Sequence, residues 1–363
     1  MKRVTILGAG NAGCAMAAHL ARQGLEVRLY NRWENEIAAL RERGGIYLKG
    51  CIGEGFVPLP VITTDIEEAM YDTEFVAVVV PTTAHDYFAR EMAPFLKPRM
   101  PVLLNPGHTA GALHFRHVLD EVGAPDVDLC ETNTNIYITR ITAPAEVTVW
   151  NLGGVSFAAL PASRLESLTA IVSAVAPTIK PVPTVLDTSF ANINAVMHPA
   201  AMLLNTGWVE HGSGFRFYAD GGTKSVAKVI AEVDRERLDV MRALGIKPVT
   251  FIEVFYHYGA TSKRALESGS VYDALRDSEP NKLIQAPRTM DHRFLAEDIP
   301  HGLEPMEAFG RLAEVKTPVI SALIDLACIV NEVDYRKDGL NLERIGLSGK
   351  AVDQILRYVK QGE

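Results

Sequence analysis

A histidine interrupts the apolar stretch "ANINAVMHPAAMLL" at residues 191–204. His198 follows Asn194 by about one helical turn and directly precedes Pro199, a residue that disturbs helical hydrogen bonding. A buried polar side chain costs free energy unless it is hydrogen-bonded. Histidine also exchanges protons near neutral pH and is the side chain that enzymes use most often for acid–base catalysis. His198 is therefore either an acid–base residue or a satisfied core histidine, and Asn194 either holds a ligand or makes a structural hydrogen bond.

A second candidate site is the sequence "ILGAGNAG", whose glycines Gly8, Gly10 and Gly13 have GxGxxG spacing. The first glycine of this pattern makes a tight turn, the second lets the backbone approach a pyrophosphate, and the third lets a helix pack closely on a strand. The next helix would offer N–H groups, including those of Asn11 and Ala12, to the phosphates. Because a strand precedes the pattern and a helix and second strand follow it, we predict a dinucleotide site rather than a ligand-free turn.

The end of the second strand, "EVRLYN", bears on which dinucleotide binds. An NAD site usually has an acidic residue there to bond the ribose 2′-OH, whereas this chain has Asn31 and Arg32. Arg32 could pair with a 2′-phosphate and stack on adenine, or it could be a solvated surface charge. We predict NADP(H) over NAD(H), although nearby Glu34 leaves NAD(H) open.

The predicted secondary structure that positions these residues differs between the two halves of the chain. In the first half, short apolar runs such as "TEFVAVVVP" alternate with helical patterns, which predicts a doubly wound, mainly parallel α/β sheet. In the second half, helical patterns such as "VAKVIAEVDRERLDVMRALG" dominate. We expect a dinucleotide-binding Rossmann domain at 1–183 and an all-α domain at 184–363. "EVTVWNLGGVSFAALP" reads as two strands joined by a Gly-Gly turn.

Further candidates follow from the position of residues in these elements. Glu131 follows an apolar strand, at the sheet edge where α/β folds bind ligands; it would contact substrate or lie at a helix N-terminus. Pro81 would shape the nicotinamide pocket or terminate a strand. Trp208 and Tyr218 would select substrate side chains or belong to the core.

Composition limits the classes of partner. The chain has 363 residues, 48% of them hydrophobic, and a net charge of -8. This negative net charge argues against a nucleic-acid partner. No apolar run approaches the roughly 18 residues of a membrane span, and "GAGNAG" interrupts the apolar start, so we expect neither a membrane protein nor a signal peptide. Four scattered cysteines fit a reducing, cytoplasmic compartment, and we expect no metal. An exposed helical face could support a homodimer.

Six segments together resemble the opine dehydrogenases of the octopine/nopaline type, over nearly the whole chain. They are "GAGNAG", "VVVP", "LLNPGHTAGALHFR", "CETNTNIY", "NINAVMHP" and "RFLAEDIPHGLEP". The ending "NLERIGLSG" is most similar to the bacterial N-(1-carboxyethyl)-norvaline dehydrogenase branch. The resemblance implies an oxidoreductase that uses NAD(P)H in the reductive amination of an α-keto acid such as pyruvate. Imine reduction then gives a secondary amine, and the reaction is reversible.

The resemblance also implies site residues. The family's catalytic histidine maps onto His198 in the Asn-x-x-x-His-Pro motif, and its partner aspartate maps onto Asp298. Its keto-acid-binding arginine maps onto Arg293, for which a surface ion pair is the alternative. This chain has Phe294 where the family commonly has tyrosine, so any hydroxyl role there is absent. From the residues alone, Asp291 and Glu297 could be confused with Asp298.

Two other functions remain open from the sequence. A ketopantoate reductase-like or glycerol-3-phosphate dehydrogenase-like enzyme would share the N-terminal half but typically relies on a catalytic lysine, for which Lys224 is the candidate. A nucleotide-sensing protein would bind NADP(H) without oxidising it.

Overall fold

A computed structural model describes residues 1–362, and internal contacts divide the chain into two units. Unit 1 contains residues 1–107, 111–185 and the chain from Tyr358 onward, and unit 2 contains residues 108–110 and 186–357. From the sequence we expected a single division after residue 183. Two short segments belong to a different unit from their neighbours in sequence, which we did not expect. Residues 108–110 belong to unit 2, and the end of the last helix, from Tyr358, belongs to unit 1.

Unit 1 is an α/β unit. Its strands are β1 (Arg3–Leu7), β2 (Glu26–Tyr30), β3 (Gly45–Gly50), β4 (Gly55–Pro58), β5 (Val61–Thr63), β6 (Phe75–Val78), β7 (Pro101–Leu104), β8 (Asp128–Thr132), β9 (Tyr137–Ala143), β10 (Glu146–Leu152), β11 (Val155–Leu160) and β12 (Ile179–Pro181). Its helices are α1 (Asn11–Arg22), α2 (Glu34–Arg43), α3 (Ile66–Met70), α4 (His85–Met92), α5 (Gly111–Glu121) and α6 (Leu165–Val172).

The main sheet has eight strands in the order β12-β11-β8-β7-β6-β1-β2-β5. Neighbours from β5 across to β8 pair in parallel, β11 pairs antiparallel with β8, and β12 pairs in parallel with β11. The central strands β6 and β8 are buried at every residue, as expected for strands covered on both faces. The predicted doubly wound, mainly parallel sheet is confirmed.

A second sheet of four strands, in the order β4-β3-β10-β9, was not predicted. The sequence correctly indicated strands in the segments of β10 and β11, but they do not form one hairpin. β10 pairs with β3 and β9, whereas β11 pairs with β8 and β12 in the main sheet. The Gly-Gly dipeptide therefore carries the chain from one sheet to the other.

The turn between β1 and α1 depends on two glycines. Gly8 has a φ of +109°, in the region that disfavours side chains. A Cβ at Gly13 would lie 1.8 Å from the Gly8 carbonyl oxygen, so α1 can approach the strand only without a side chain there. Gly10 differs, because a Cβ at Gly10 would meet no atom within 4 Å.

Unit 2 is helical. Its helices are α7 (Val185–Phe190), α8 (Ile193–Leu203), α9 (Thr206–His211), α10 (Lys224–Ala243), α11 (Phe251–His257), α12 (Lys263–Ser268), α13 (Val271–Arg276), α14 (Arg293–Ala296), α15 (Glu304–Leu312), α16 (Pro318–Asn331), α17 (Tyr335–Asp338) and α18 (Val352–Gln361). The first residue of α7 and the end of α18 fall within unit 1.

A buried ion pair joins three helices of this unit. The fully buried Arg237 of α10 donates to Asp234 from Nη2 at 2.6 Å and also donates to the backbone oxygens of Phe190 and Val249. The other oxygen of Asp234 accepts the N–H of Phe251 at the start of α11, at 2.9 Å. Each charged group thus has partners, which offsets the cost of removing it from water.

A π-helical turn at Ile299–Leu303 connects α14 to α15. The first residue of α15, Glu304, is fully buried, and burial raises its pKa to about 7. Burial also tends to raise the pKa of Glu307. Hydrogen bonds from Arg336 and Ser321 outweigh this effect and lower the pKa of Glu307 to about 2. One buried carboxyl group near this turn therefore titrates close to neutral pH.

None of the helices in residues 1–362 combines the length and the apolar character needed to cross a membrane.

Gly13→Ala should lower the free energy of unfolding by more than about 3 kcal/mol, because its methyl group would overlap the Gly8 carbonyl. The matched variant Gly10→Ala should lose about 1 kcal/mol or less, the usual scale for a helix N-cap. Denaturant unfolding measures both values. Equal losses in the two variants would contradict this account of the turn.

Glu304→Gln should stabilise the protein more at pH 8 than at pH 5. The folded-state pKa of Glu304 is raised, so its contribution to stability is fully present below the unfolded pKa and is lost as the pH rises towards 7 and above. Glutamine mimics the protonated acid at every pH. Denaturant unfolding of both proteins should show their difference in stability growing by about 2–3 kcal/mol between pH 5 and pH 8; a difference independent of pH would show that Glu304 keeps an ordinary pKa.

Candidate active site

The N-terminus of α1 has the features of a phosphate site. Gly10 is exposed and forms the helix N-cap without a side-chain hydrogen bond to the first turn. The N–H groups of Asn11, Ala12 and Gly13 therefore have no side chain capping them, and the space where a Gly10 Cβ would lie is open. Free N–H groups and a positive helix end are what a pyrophosphate needs, so this turn fits a dinucleotide.

Two asparagines support this turn. The Asn31 Oδ1 atom accepts the N–H of Ala9 at 3.1 Å, and its Nδ2 atom donates to Glu36 Oε2 at 2.7 Å. The Asn11 Oδ1 atom accepts the N–H of Ile141 at 2.7 Å. The side chain of Asn31 thus fixes the glycine loop and leaves Arg32 as the neighbouring group that is free to meet a ligand.

Arg32 lies beside two aromatic rings at the end of β2. Its guanidinium carbon lies 4.5 Å from the centre of the Trp33 ring and 4.3 Å from that of Tyr87. Glu34, the acidic residue that kept NAD(H) open, pairs with Arg41 at 2.7 Å. The charge of Arg32 is therefore held by ring contacts rather than by Glu34. Pro81 is exposed, three residues after the end of β6.

Glu131 has no exposed surface. Its Oε2 atom accepts the N–H of Ala112, in the first turn of α5, at 2.8 Å. A Cβ at Gly107 would lie 2.0 Å from the same oxygen. Of the two roles that the sequence left open, this geometry is that of a carboxylate at a helix N-terminus.

In unit 2, the structure brings His198 and Asp298 together. Nδ1 of His198 lies 2.7 Å from Oδ2 of Asp298, and the two residues are 6% and 3% exposed. An ionised carboxylate can only accept hydrogen bonds, so Nδ1 is the donor in this contact, and in the neutral imidazole Nε2 keeps a lone pair. This arrangement orients the imidazole and would stabilise it when it gains a second proton.

Two aromatic residues complete the surroundings of His198. The hydroxyl of Tyr218 lies 2.7 Å from Nε2, and the ring of Phe294 stacks on the imidazole at 3.9 Å between ring centres. The sequence suggested Tyr218 only as a side-chain selector. Its position in an irregular segment, 20 residues after His198, gave no periodic signal of this contact. Phe294 supplies a ring face to the imidazole.

Close packing fixes the separation of His198 and Asp298. His198 lies on α8 and Asp298 directly precedes the π-helical turn. A Cβ at Gly302, in that turn, would lie 2.4 Å from the Cβ of Ala195 on α8. The loop at 108–110, which belongs to the same unit, contacts the start of α8. Thr109 Oγ1 accepts a hydrogen bond from Asn192, the N-cap of α8, at 3.1 Å.

Two further histidines lie within electrostatic range of His198. Burial lowers the pKa of His108, against an opposing effect of Glu297 and Asp298. Burial also lowers the pKa of His292, and Arg293 adds to that effect. Both are therefore neutral near pH 7, so neither places a positive charge beside His198.

The other predicted residues of unit 2 are less closely tied to His198. Arg293 pairs with the buried Glu297 at 2.6 Å but keeps 54% of its side chain exposed, so its guanidinium can still reach a carboxylate. Asn194 is half-buried on α8, and its side chain makes no hydrogen bond within residues 1–362. Trp208 stacks on Phe215 with 4.1 Å between ring centres and is 40% exposed.

Two family models match separate parts of the chain. Residues 181–331 match the alpha-helical domain of NAD/NADP octopine/nopaline dehydrogenase. Residues 3–108 match the N-terminus of NAD-dependent glycerol-3-phosphate dehydrogenase. The second match covers only the nucleotide-binding part, whereas the first covers α8, the π-helical turn and both members of the His198–Asp298 pair.

Known proteins match over nearly the full length. An opine dehydrogenase of Arthrobacter sp. (strain 1C) is 35% identical, with 96% of each chain covered. The structure of octopine dehydrogenase with NADH and L-arginine has a TM-score of 0.78 at 20% identity, covering 98% of each chain. That of yersinopine dehydrogenase with NADP+ has a TM-score of 0.74 at 15% identity, covering 99% of this chain and 98% of the other. The chain therefore belongs to the opine dehydrogenase family, NAD(P)-dependent oxidoreductases of CH–NH groups that reductively condense a keto acid with an amino compound.

Proposed function

We propose that His198 and Asp298 are the acid–base pair for condensing a 2-keto acid, such as pyruvate, with the amino group of an amino acid or amine. The observation that carries this proposal is the 2.7 Å contact between the two buried side chains. When bound, NADP(H) supplies the hydride. His198 takes up the proton that the substrate ammonium must lose before it can attack the keto carbon, and Asp298 stabilises the resulting imidazolium.

Arg293 is the proposed carboxylate ligand of the keto acid. Its planar guanidinium can bind a carboxylate through two parallel hydrogen bonds. Its Nη2 atom pairs with Glu297, while more than half of the side chain remains accessible to substrate. Asn194, one helical turn before His198, is proposed as a further polar contact for substrate.

The preferred cofactor is proposed to be NADP(H). Support comes from Arg32, whose guanidinium lies on the rings of Trp33 and Tyr87 and can accept both an adenine face and a 2′-phosphate. Further support comes from the pairing of Glu34 with Arg41, which leaves no carboxylate bonded to Arg32 within residues 1–362.

A reductase that relies on a catalytic lysine is the second candidate, favoured by the match of residues 3–108 to glycerol-3-phosphate dehydrogenase. Its lysine would be Lys224, the first residue of α10. The Nζ atom of Lys224 lies 5.8 Å from the ring centre of Tyr272 on α13. This position offers no acid–base partner comparable to Asp298.

We also propose a cellular compartment and an oligomeric state for the enzyme. Four cysteines outside any disulfide in the described chain support a reducing, cytoplasmic compartment. A row of exposed apolar side chains at the end of α16 supports a homodimer; it consists of Leu326, Ile329, Val330 and Val333.

His198→Asn should lower kcat for NADPH oxidation with pyruvate and an amine panel by about 10²–10⁴-fold, the usual contribution of a general acid–base group. Asp298→Asn should lower kcat by roughly 10²-fold, because the imidazolium loses its anionic partner. Steady-state rates are measured for each keto acid against each amine.

The controls separate the two candidate functions. Lys224→Ala and His257→Asn should keep kcat within about threefold of the unsubstituted enzyme, because within residues 1–362 neither side chain forms a hydrogen bond, ion pair or ring contact with His198. If Lys224→Ala loses activity while His198→Asn keeps it, the lysine-dependent reductase is the correct function. NADPH binding without oxidation across the whole panel would instead indicate a nucleotide-sensing protein.

Arg32→Ala should raise the Kd of NADPH at least 10-fold, about 1.4 kcal/mol, and change that of NADH by less than threefold. The reason is that only NADPH carries the 2′-phosphate. Quenching of protein fluorescence measures both constants, with Arg43→Ala, an exposed arginine on the same helix α2, as the matched control. A similar loss for both cofactors would assign Arg32 to adenine stacking alone.

A further inference from the structure

Tyr218, His198 and Asp298 form one continuous chain of hydrogen bonds. The Tyr218 hydroxyl lies 2.7 Å from Nε2 of His198, and Nδ1 of the same ring lies 2.7 Å from Oδ2 of Asp298. All three side chains are at least nine-tenths buried. The distances are those of strong hydrogen bonds at both ends of the imidazole.

The direction of these bonds follows from the carboxylate. Because ionised Asp298 only accepts, the proton between it and His198 belongs to Nδ1. In the neutral imidazole Nε2 then accepts, and the Tyr218 hydroxyl donates to it. The imidazole atom that would otherwise face a substrate is therefore covered by the phenol oxygen.

The packing of the rings gives the imidazole little other access. Phe294 stacks on one face of His198 at 3.9 Å, and Phe217 lies edge-to-face with Tyr218 at 5.0 Å between ring centres. Both ring nitrogens are engaged and one ring face is covered. A proton that enters or leaves Nε2 along its hydrogen bond passes through the oxygen of Tyr218.

We propose that Tyr218 is the catalytic residue that exchanges protons with the substrate. His198 accepts a proton from Tyr218 and later returns it, and Asp298 stabilises the protonated His198. This inference rests on the proposed function and assigns Tyr218 to the formation of the imine. It replaces a direct contact between His198 and substrate by a relay of three side chains.

The relay balances the protons of the condensation. Tyr218 takes a proton from the substrate ammonium as its own hydroxyl proton passes to Nε2 of His198. The amine lone pair then forms the C–N bond, the carbonyl electron pair moves to oxygen, and a second ammonium proton moves to that oxygen. In the last step the C–O bond breaks, and Tyr218 protonates the departing hydroxyl, so that water leaves.

The starting state is restored in that last step, because His198 returns the stored proton to the phenol oxygen. The ammonium and the ketone have become an iminium and one water molecule, with no net gain or loss of protons. The iminium is then ready for the reduction that defines the family's activity. A phenol suits the task because its one oxygen can both accept and donate.

Tyr218→Phe removes the hydroxyl and keeps the ring against Phe217. We expect kcat for NADPH oxidation with pyruvate and the best amine to fall at least 100-fold. The KM values of both substrates and the Kd of NADPH should stay within threefold. Tyr272→Phe, on α13, is the matched control and should keep its kcat. Thermal unfolding and the Kd of NADPH confirm that the variants are folded.

Replacing Tyr218 by 3-fluorotyrosine separates proton transfer from positioning. Fluorine lowers the pKa of a phenol while the hydroxyl and the ring packing remain. The limb of the kcat–pH profile that reports Tyr218 should therefore move to lower pH. A residue that only positions His198 would leave the profile unchanged.

Two outcomes overturn the relay. One is a Tyr218→Phe enzyme with kcat within threefold of the unsubstituted enzyme, and the other is a loss confined to KM with an unmoved pH profile in the fluorinated enzyme. His198→Asn, measured in parallel, separates the two proposals. If it is inactive while Tyr218→Phe is active, only the relay fails; if both are active, the proposed function fails as well.

Discussion

The contact between His198 and Asp298 imposes the strictest requirement on unit 2. Both side chains are almost fully buried, and a buried charge without a partner costs several kcal/mol. The fold must therefore deliver two residues 100 positions apart to within one hydrogen bond. The irregular features nearby, a proline within α8 and a π-helical turn after Asp298, lie on the two elements that meet there. π-helical turns are rare and often occur at functional sites.

The two units contribute different kinds of chemical group. In unit 1, the groups that fit a phosphate are backbone N–H groups, which glycines expose and Asn31 and Asn11 hold in place. In unit 2, the groups that fit proton transfer are side chains from segments far apart in the sequence. A site made of backbone groups can be predicted from the spacing of glycines in one short segment. A site made of side chains depends on residues from distant parts of the chain.

That difference decides how far the sequence could predict the structure. The strand runs, the helical periods and the glycine spacing are local, and they correctly indicated the parallel sheet, the helical second unit and the turn at Gly8. The partnership of His198 with Asp298 came from resemblance to a family, because Asp291 and Glu297 are equally plausible neighbours in sequence. The contact of Tyr218 with His198 had no signal, since its segment lacks periodicity. The four-stranded sheet was missed because β3 and β4 are short and rich in glycine, with mixed burial.

Gly302 shows how a residue can matter without a functional group. Its Cα approaches Ala195 so closely that even a methyl group would lie 2.4 Å from the alanine Cβ. The position acts as a spacer between α8 and the turn that follows Asp298. In an alanine scan, such a position would score like a member of the catalytic apparatus, although it exchanges no proton and touches no substrate. Libraries designed to change the substrate range should therefore leave Gly302 and Ala195 unchanged.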